Sequence, residues 1–509
     1  MPSQLDTILA ASLSDLTSSV FGIPDSLIEG TAGDDLLFGT GVGDVIVGFA
    51  GDDVLLGLSG DDTLIGGPGS DLLNGGAGFD IVDFDADDFS FGPVDLTITA
   101  GQIIDDITGD VDTIVDIEEI FLVGFFNDIN IDASTTDVDL FLGSSNGNSN
   151  ILGGSGDDAI IVDVAGENTV DGGDGFDILT LVGLPFDTID SDALVTLTVT
   201  GTSASLSNSD AVTNFTSFES ISVSAGLGVD IVDASATEID LLFSPGFSVS
   251  DTTFIGGFGD DLIAITAPGA DFDGGAGFDA VDLRPNVLAA IDGGPEATSA
   301  ITLTDSAFLT NTEEAVSNFT SVEAFAITDF EDDLDVDAST VTLAITAELG
   351  GGADTIVSGS GSDTLNGQAG EDTLEGGAGA DLLLGGLGAD LLSGGDGADA
   401  LFGGFGDDVL SGGAGADTIG GGGGDDLITG TLAEVDGDTI LNFDLGDVLF
   451  VTGEGITGAV FDADTGTLTI SSADEDSTLA VDLAAGASAD FAVALVDGGV
   501  EIALAEAFV

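Results

Sequence analysis

Apolar and polar positions along this chain keep a nine-residue beat in two places. Nine aspartates stand nine apart at Asp354, Asp363, Asp372, Asp381, Asp390, Asp399, Asp408, Asp417 and Asp426, and each is followed two residues later by Leu or Ile. A second run keeps the same beat at Asp35, Asp44, Asp53, Asp62, Asp71 and Asp80. A fixed period this short predicts a solenoid whose turns stack on their neighbours, with the Leu or Ile pointing inward as core. Between the runs the period changes to two. VDLTIT (94–99), VTLTVT (195–200) and AITLTD (300–305) alternate apolar with polar residues and are rich in Val, Ile and Thr, which predicts strands. Only at the start, where Leu5, Ile8, Leu9, Leu13, Leu16 and Val20 fall near a 3.6-residue spacing, does the pattern predict a short amphipathic helix.

The polar residues around the beat define its chemistry. The clearest copies read GGAGADLLL (376–384), GGLGADLLS (385–393) and GGFGDDVLS (403–411). Glycines permit the positive φ of a tight loop. The aspartate supplies hard carboxylate oxygen and nearby backbone carbonyls supply the rest, which is the ligand chemistry of calcium. A flexible glycine-rich linker would carry no periodic Leu or Ile. Isolated copies recur as GGSGDDAII (Asp158), GGDGFDILT (Asp177), GGFGDDLIA (Asp261) and GGAGFDAVD (Asp279), and AGENTV (165–170) is a degenerate turn with Asn168 in the aspartate slot. Departures also occur at Val42, in a fourth-position glycine slot, and at Leu349 and Ser358, in first-position slots. These edge turns are expected to bind weakly or to cap the stack.

This pattern resembles the RTX nonapeptide GGxGxDxUx, the calcium-binding parallel β-roll of proteins exported by type I secretion. The resemblance is dense over 30–83 and 350–430 and sparse between. It implies many bound Ca2+ ions, a bacterial secreted or cell-surface location, and the type I secretion machinery as a partner. The apolar, acidic end DFAVALVDGGVEIALAEAFV is similar to the C-terminal signals of such substrates. The N-terminal residues have no Lys or Arg and no long apolar core, so no Sec-type signal is expected there, and no stretch approaches a membrane span.

Organisation follows from the repeats. Residues 1–29 are expected to form an N-terminal cap or short helix. Residues 30–84 form a first β-roll. Residues 85–349 hold three β-rich modules of about 100 residues with isolated calcium turns. Their echoes are VDIEEIFLV, VTNFTSFESISV and VSNFTSVEAFAI, then INIDAST, DIVDASA and DLDVDAST. These modules resemble the β segments that alternate with nonapeptides in RTX surface proteins. Residues 350–430 form a second roll, in which two nonapeptides make a full turn and nine repeats rise about 20 Å at roughly 4.8 Å per strand. The segment DGDTILNFDLGDVLFV (436–451) closes it, and 431–509 form a small C-terminal β domain with the export signal. VFDADTGTLTIS (460–471) is expected to be a hairpin, despite the faint likeness of Asp462, Asp464 and Gly466 to an EF-hand start. The fold class is thus all-β, with parallel β-roll blocks flanking β-rich repeat modules.

Composition narrows the function. The chain has 95 acidic residues, one basic residue (Arg284) and no His, Cys, Trp or Tyr, for a net charge of −94. That field repels nucleic acid and anionic membranes. Without His, Cys or Lys there is no zinc-protease motif, catalytic triad, thiol nucleophile or Schiff base. Carboxylate-pair chemistry survives, but in a chain this acidic nearby carboxylates carry little information. Apolar residues make up 43% of the chain, enough for a core. The conflict between core and self-repulsion is one that bound cations would resolve. The expected function is a calcium-folded structural protein that self-assembles into a surface layer or extracellular filament. The alternative is an adhesin or matrix protein binding a surface or glycan, with cell-surface polysaccharide as a candidate partner. A carboxylate-based polysaccharide enzyme is a poorer match.

Overall fold

A computed structural model describes residues 26–84, 94–124, 128–144, 147–164, 166–182, 196–207, 212–224, 231–244, 252–265, 270–283, 299–310, 316–328, 333–462, 464–472, 476–483, 491–496 and 499–504. The expected N-terminal helix and Arg284 lie outside these residues. Among the described residues every regular element is a strand, and no helix is long and apolar enough to cross a membrane. The chain divides into two compact units, Met1–Ser224 and Ala225–Val509.

Strand pairing shows why the nine-residue beat produces a solenoid. In the second unit Leu365 pairs with Leu383, Leu383 with Leu401 and Leu401 with Ile419, all in parallel and eighteen residues apart. Leu374, Leu392, Leu410 and Ile428 stack in the same way on a second sheet. One nonapeptide therefore supplies a strand to one sheet, the next supplies the other, and two complete a turn. Each of these aliphatic side chains is buried, while its neighbours in the strand, Gly420 apart, are half-exposed or exposed. Burying each one stabilises the stack by about 1.5–3 kcal/mol. The first unit repeats the arrangement, with Ile46 and Leu64 in one column and Leu55 and Leu73 in the other.

The middle modules keep the parallel turns but insert a hairpin into one of the two sheets. Val94–Thr99 runs back on Gln102–Asp105, which runs back on Val111–Val115. The third strand then pairs in parallel with Leu72–Ala77, resuming the stack. Thr196–Thr200, Ser203–Leu206 and Val212–Thr216 repeat this insertion and dock on Asn168–Asp171. In the second unit Ser299–Thr304, Ala307–Thr310 and Val316–Thr320 do the same against Asp271–Asp273. The alternating segments seen in the sequence are thus the first strands of these hairpins. Asn214 and Asn318, both in N-x-T triplets, belong to the third strands.

After the second roll, Thr439–Phe443 and Val448–Thr452 continue its two sheets. Gly458–Asp462 and Thr467–Ser471 form the expected antiparallel hairpin, turned through Gly466 at φ 67°. Gly499–Leu504 pairs antiparallel with Phe491–Val496 and with Val448–Thr452, so the described part of the apolar C-terminal segment is strand.

Candidate metal centre

The repeated aspartates form ladders along the loops. The backbone N–H of each donates to Oδ1 of the aspartate one full turn later. In the second unit one ladder runs Asp354, Asp372, Asp390, Asp408, Asp426, and the other Asp363, Asp381, Asp399, Asp417, with steps of 2.8–3.0 Å. In the first unit the ladders are Asp35, Asp53, Asp71 and Asp44, Asp62, Asp80, with steps of 2.7–2.9 Å. Asp158 steps to Asp177, and Asp261 to Asp279, at 2.9 Å. The carbonyl of each rung accepts the N–H of the residue after the next aspartate, as from Leu382 to Asp363 and from Ala400 to Asp381. Every aspartate expected from the sequence therefore belongs to a ladder.

The ladders continue onto residues that the nine-residue spacing does not reach. Asp71 donates to Asp112, Asp417 to Asp438 and Asp426 to Asp447. Asp80, Asp177 and Asp279 donate to Glu118, Glu219 and Glu323. The signal for the glutamates was present in the second echo, where an acidic residue recurs in EEI, FES and VEA.

The second carboxylate oxygen divides the aspartates into two classes. At the start of a run, Oδ2 accepts an amide of its own loop: Thr31 to Asp35, Thr40 to Asp44, Gly154 to Asp158 and Gly257 to Asp261. Inside a run, except at Gly359, the second loop position turns to positive φ, as at Gly377 (88°), Gly395 (107°) and Gly413 (97°), and that amide is not given to Oδ2. There Oδ2 of Asp53, Asp62, Asp80, Asp177, Asp279, Asp372, Asp381, Asp390, Asp399, Asp408, Asp417 and Asp426 is buried without a hydrogen-bond partner. A buried oxygen left this way is destabilising unless a cation or proton meets it.

Around it the backbone supplies carbonyl oxygens. A Cβ at Gly394 would lie 2.6 Å from Asp399 Oδ2 and 2.5 Å from the Gly412 carbonyl oxygen, and Gly376 has the same surroundings. The first glycine thus keeps open a pocket lined by one carboxylate oxygen and one carbonyl. Among the described residues no three acidic side chains converge on one point. A cation here would be held by paired carboxylates and backbone carbonyls, a donor set that fits calcium.

Electrostatics agree. Burial, followed by repulsion from neighbouring rungs, raises Asp372, Asp381 and Asp408 to about 6. The same causes raise Asp158, Asp261 and Asp438 to about 7. Hydrogen bonds from backbone amides oppose the rise at each.

Two substitutions alter a rung. Ser358 takes a first-glycine slot, and its hydroxyl donates to the carbonyls of Glu375 and Gly376. Asn168 takes an aspartate slot. Its Oδ1 accepts the Ser149 N–H at 2.8 Å, and its Nδ2 donates to the Asp163 carbonyl at 2.7 Å and to Thr213 Oγ1 at 2.8 Å. A neutral amide there holds with its own donors the oxygens that face the slot.

Residues 47–82, 349–383, 375–410 and 393–428 match the family of the RTX calcium-binding nonapeptide repeat, in four copies. The chain carries RTX repeats, and these repeats bind Ca2+ at multiple copies. Proteins with such repeats are typically secreted by the type I route. Among curated proteins no match to the chain is found. Among solved structures, one match is the extracellular lipase LipA from Serratia marcescens, 16% identical with a TM-score of 0.12. It covers 59% of this chain and 38% of that chain, so this chain spans little more than a third of the lipase's length. A likeness that slight says nothing about the activity of this chain.

Proposed function

We propose that this protein is a secreted, calcium-folded structural component that assembles with its own copies into a cell-surface layer or extracellular filament. The observation that carries the reading is the set of rungs whose Oδ2 atoms are buried without a partner. Such rungs favour a fold that closes where calcium is plentiful and stays open where it is scarce, as inside the cell before export. With a net charge of −94, copies of the chain repel one another unless divalent ions bridge them. The type I machinery and further copies of the chain are the partners this implies. The reading assigns no catalytic role, in keeping with the absence of His, Cys and Lys.

Negative-stain microscopy and light scattering of the purified chain test assembly. Ordered sheets or filaments are expected at millimolar calcium, dissolving on chelation. Monodisperse particles across all calcium and protein concentrations would overturn it.

One observation favours a second reading, an adhesin or matrix protein. Phe79, Phe176 and Phe278 stand exposed immediately before a rung aspartate, and Phe258 and Phe405 are exposed in two other nonapeptide loops. Aromatic faces suit a glycan or another surface. Calcium-dependent retention on polysaccharide by particles that stay monomeric would favour this second reading.

A further inference from the structure

The three hairpin insertions end in the same local structure. A residue with left-handed backbone comes first, then a buried apolar residue, then a glutamate: Asp116-Ile117-Glu118, Ser217-Phe218-Glu219 and Ser321-Val322-Glu323. The first residue has φ of 51°, 58° and 53° respectively. A non-glycine residue there is strained by about 1–2 kcal/mol. Strain repeated at the same point of three insertions calls for a compensating interaction.

What the strain positions is a carbonyl and a carboxylate. The carbonyls of Asp116, Ser217 and Ser321 approach Gly75, Gly172 and Gly274, so closely that a methyl group on any of these glycines would overlap the oxygen. The same methyl would overlap Oδ2 of Asp80, Asp177 or Asp279. Two residues after the carbonyl, the glutamate turns back to the same aspartate. Glu118, Glu219 and Glu323 Oε2 accept the N–H of Asp80, Asp177 and Asp279 at 2.8, 2.8 and 2.9 Å. The glutamate N–H groups donate to the carbonyls of those aspartates at 3.1, 3.1 and 2.8 Å. The three aspartates are at most 1% exposed, and their Oδ2 atoms have no hydrogen-bond partner. Each site thus gathers an unpartnered buried carboxylate oxygen, a second carboxylate and an aimed carbonyl, with no basic group among the described residues.

We propose that Asp80–Glu118, Asp177–Glu219 and Asp279–Glu323 are three hybrid calcium sites, each closed by a glutamate 38, 42 or 44 residues downstream of its aspartate. This rests on the calcium-binding reading of the nonapeptides and extends it to positions outside their spacing. In a regular run, the nonapeptide one full turn on supplies the second carboxylate, eighteen residues away. Here a whole hairpin intervenes, and the longer glutamate side chain restores the rung. Calcium at these points staples each insertion to the turn that precedes it.

The test is an ion count on the full-length chain. Equilibrium dialysis with radioactive calcium compares wild type with the E118Q/E219Q/E323Q chain. Glutamine keeps an oxygen to accept the aspartate N–H, so the hydrogen bond survives while the second carboxylate is lost. The triple variant is expected to bind three fewer ions, with the β signal of wild type at a saturating calcium of roughly 10 mM. An unchanged ion count would overturn the proposal while leaving the nonapeptide sites intact. If the triple variant does not fold at any calcium level, the three single variants are counted in the same way, and each is expected to lose one ion. No loss in the singles would also overturn it. A wild-type chain that binds no calcium would overturn this proposal and its parent reading together.

Discussion

The second roll and the hairpin-bearing modules build the same loop by different means. Over 354–426 most turns are closed by glycines at positive φ, and each rung from Asp354 to Asp408 is answered by an aspartate eighteen residues on. In the modules a strained Asp or Ser takes the place of a glycine, and a glutamate about forty residues on takes the place of the next aspartate. The roll obtains regularity from local spacing. The modules tolerate an insertion because what the loop needs is a carbonyl direction and a carboxylate, not a particular residue. Unlike the roll, a module also contains a rung that is complete without any ion, at Asn168.

Removing calcium should separate the two regions most strongly. The roll stacks nine aspartates in two ladders, so at pH 8 in chelator its backbone amides are expected to exchange with solvent fastest. Strands around Asn168, such as Asn148–Leu152, should exchange more slowly. Hydrogen-exchange mass spectrometry checks this, and equal protection of both regions without calcium would break the comparison. Proton concentration sets the sign of a companion effect. Asp372, Asp381 and Asp408 are raised to about 6 in the fold, against an ordinary value of 3.8. Between those values the folded metal-free chain binds more protons than the unfolded one, so its stability falls as pH rises. The chelated chain is expected to keep more β signal near pH 5 than at pH 8, while its calcium affinity climbs over the same interval as protons leave the ligands. Circular dichroism and calcium titration at the two pH values read both.

A smaller effect sharpens the part played by the first glycine. In Gly394→Ala the new methyl would crowd both the Gly412 carbonyl oxygen and Asp399 Oδ2. In Gly423→Ala the nearest atom is a ring carbon of Phe405 at 3.7 Å. Gly394→Ala is expected to lower calcium-bound stability by about 1–3 kcal/mol, against about 0.5 kcal/mol or less for Gly423→Ala. Because the crowded point is the metal pocket, the Gly394→Ala deficit should grow as calcium rises. Thermal melts across a calcium series measure this, and equal melting temperatures for the two variants would remove the pocket from the argument.

The sequence carried most of this architecture because its information is local. Leu383 and Leu392 follow their aspartates at fixed distance, and stacking at eighteen residues follows from the same beat. The hairpin at 458–471 was legible from alternation around a DADTG turn. Three things were hidden. Glu118, Glu219 and Glu323 join the ladders across variable insertions, so the nine-residue beat does not reach them and only the acidic residue of the second echo marks their place. Asp112, Asp438 and Asp447 do so after breaks in the beat. The division between Asp35, Asp44, Asp158 and Asp261 and the inner rungs follows the backbone φ at the second loop position. No residue type within the loop announces it, since the Asp158 and Asp261 loops begin with the same glycine pair as the inner ones.

The smallest expected calcium-dependent effect isolates the rung without an ion. Asn168→Ala removes a buried amide that donates to the Asp163 carbonyl and Thr213 Oγ1 and accepts from the Ser149 N–H. Each buried group left unmade is destabilising by about 1–3 kcal/mol, less whatever water entering the gap restores. If no ion resides there, linkage requires the loss to be the same at every calcium concentration. This is where Asn168→Ala parts from Gly394→Ala, whose deficit follows calcium. Asn168→Asp sharpens the distinction further. It replaces a donor with a charge facing two oxygens, so it should be worse than alanine at low calcium and recover toward wild type as calcium rises. A calcium-dependent deficit in Asn168→Ala would mean that the amide assists a neighbouring metal site, and the difference between module and roll would narrow to one of spacing alone.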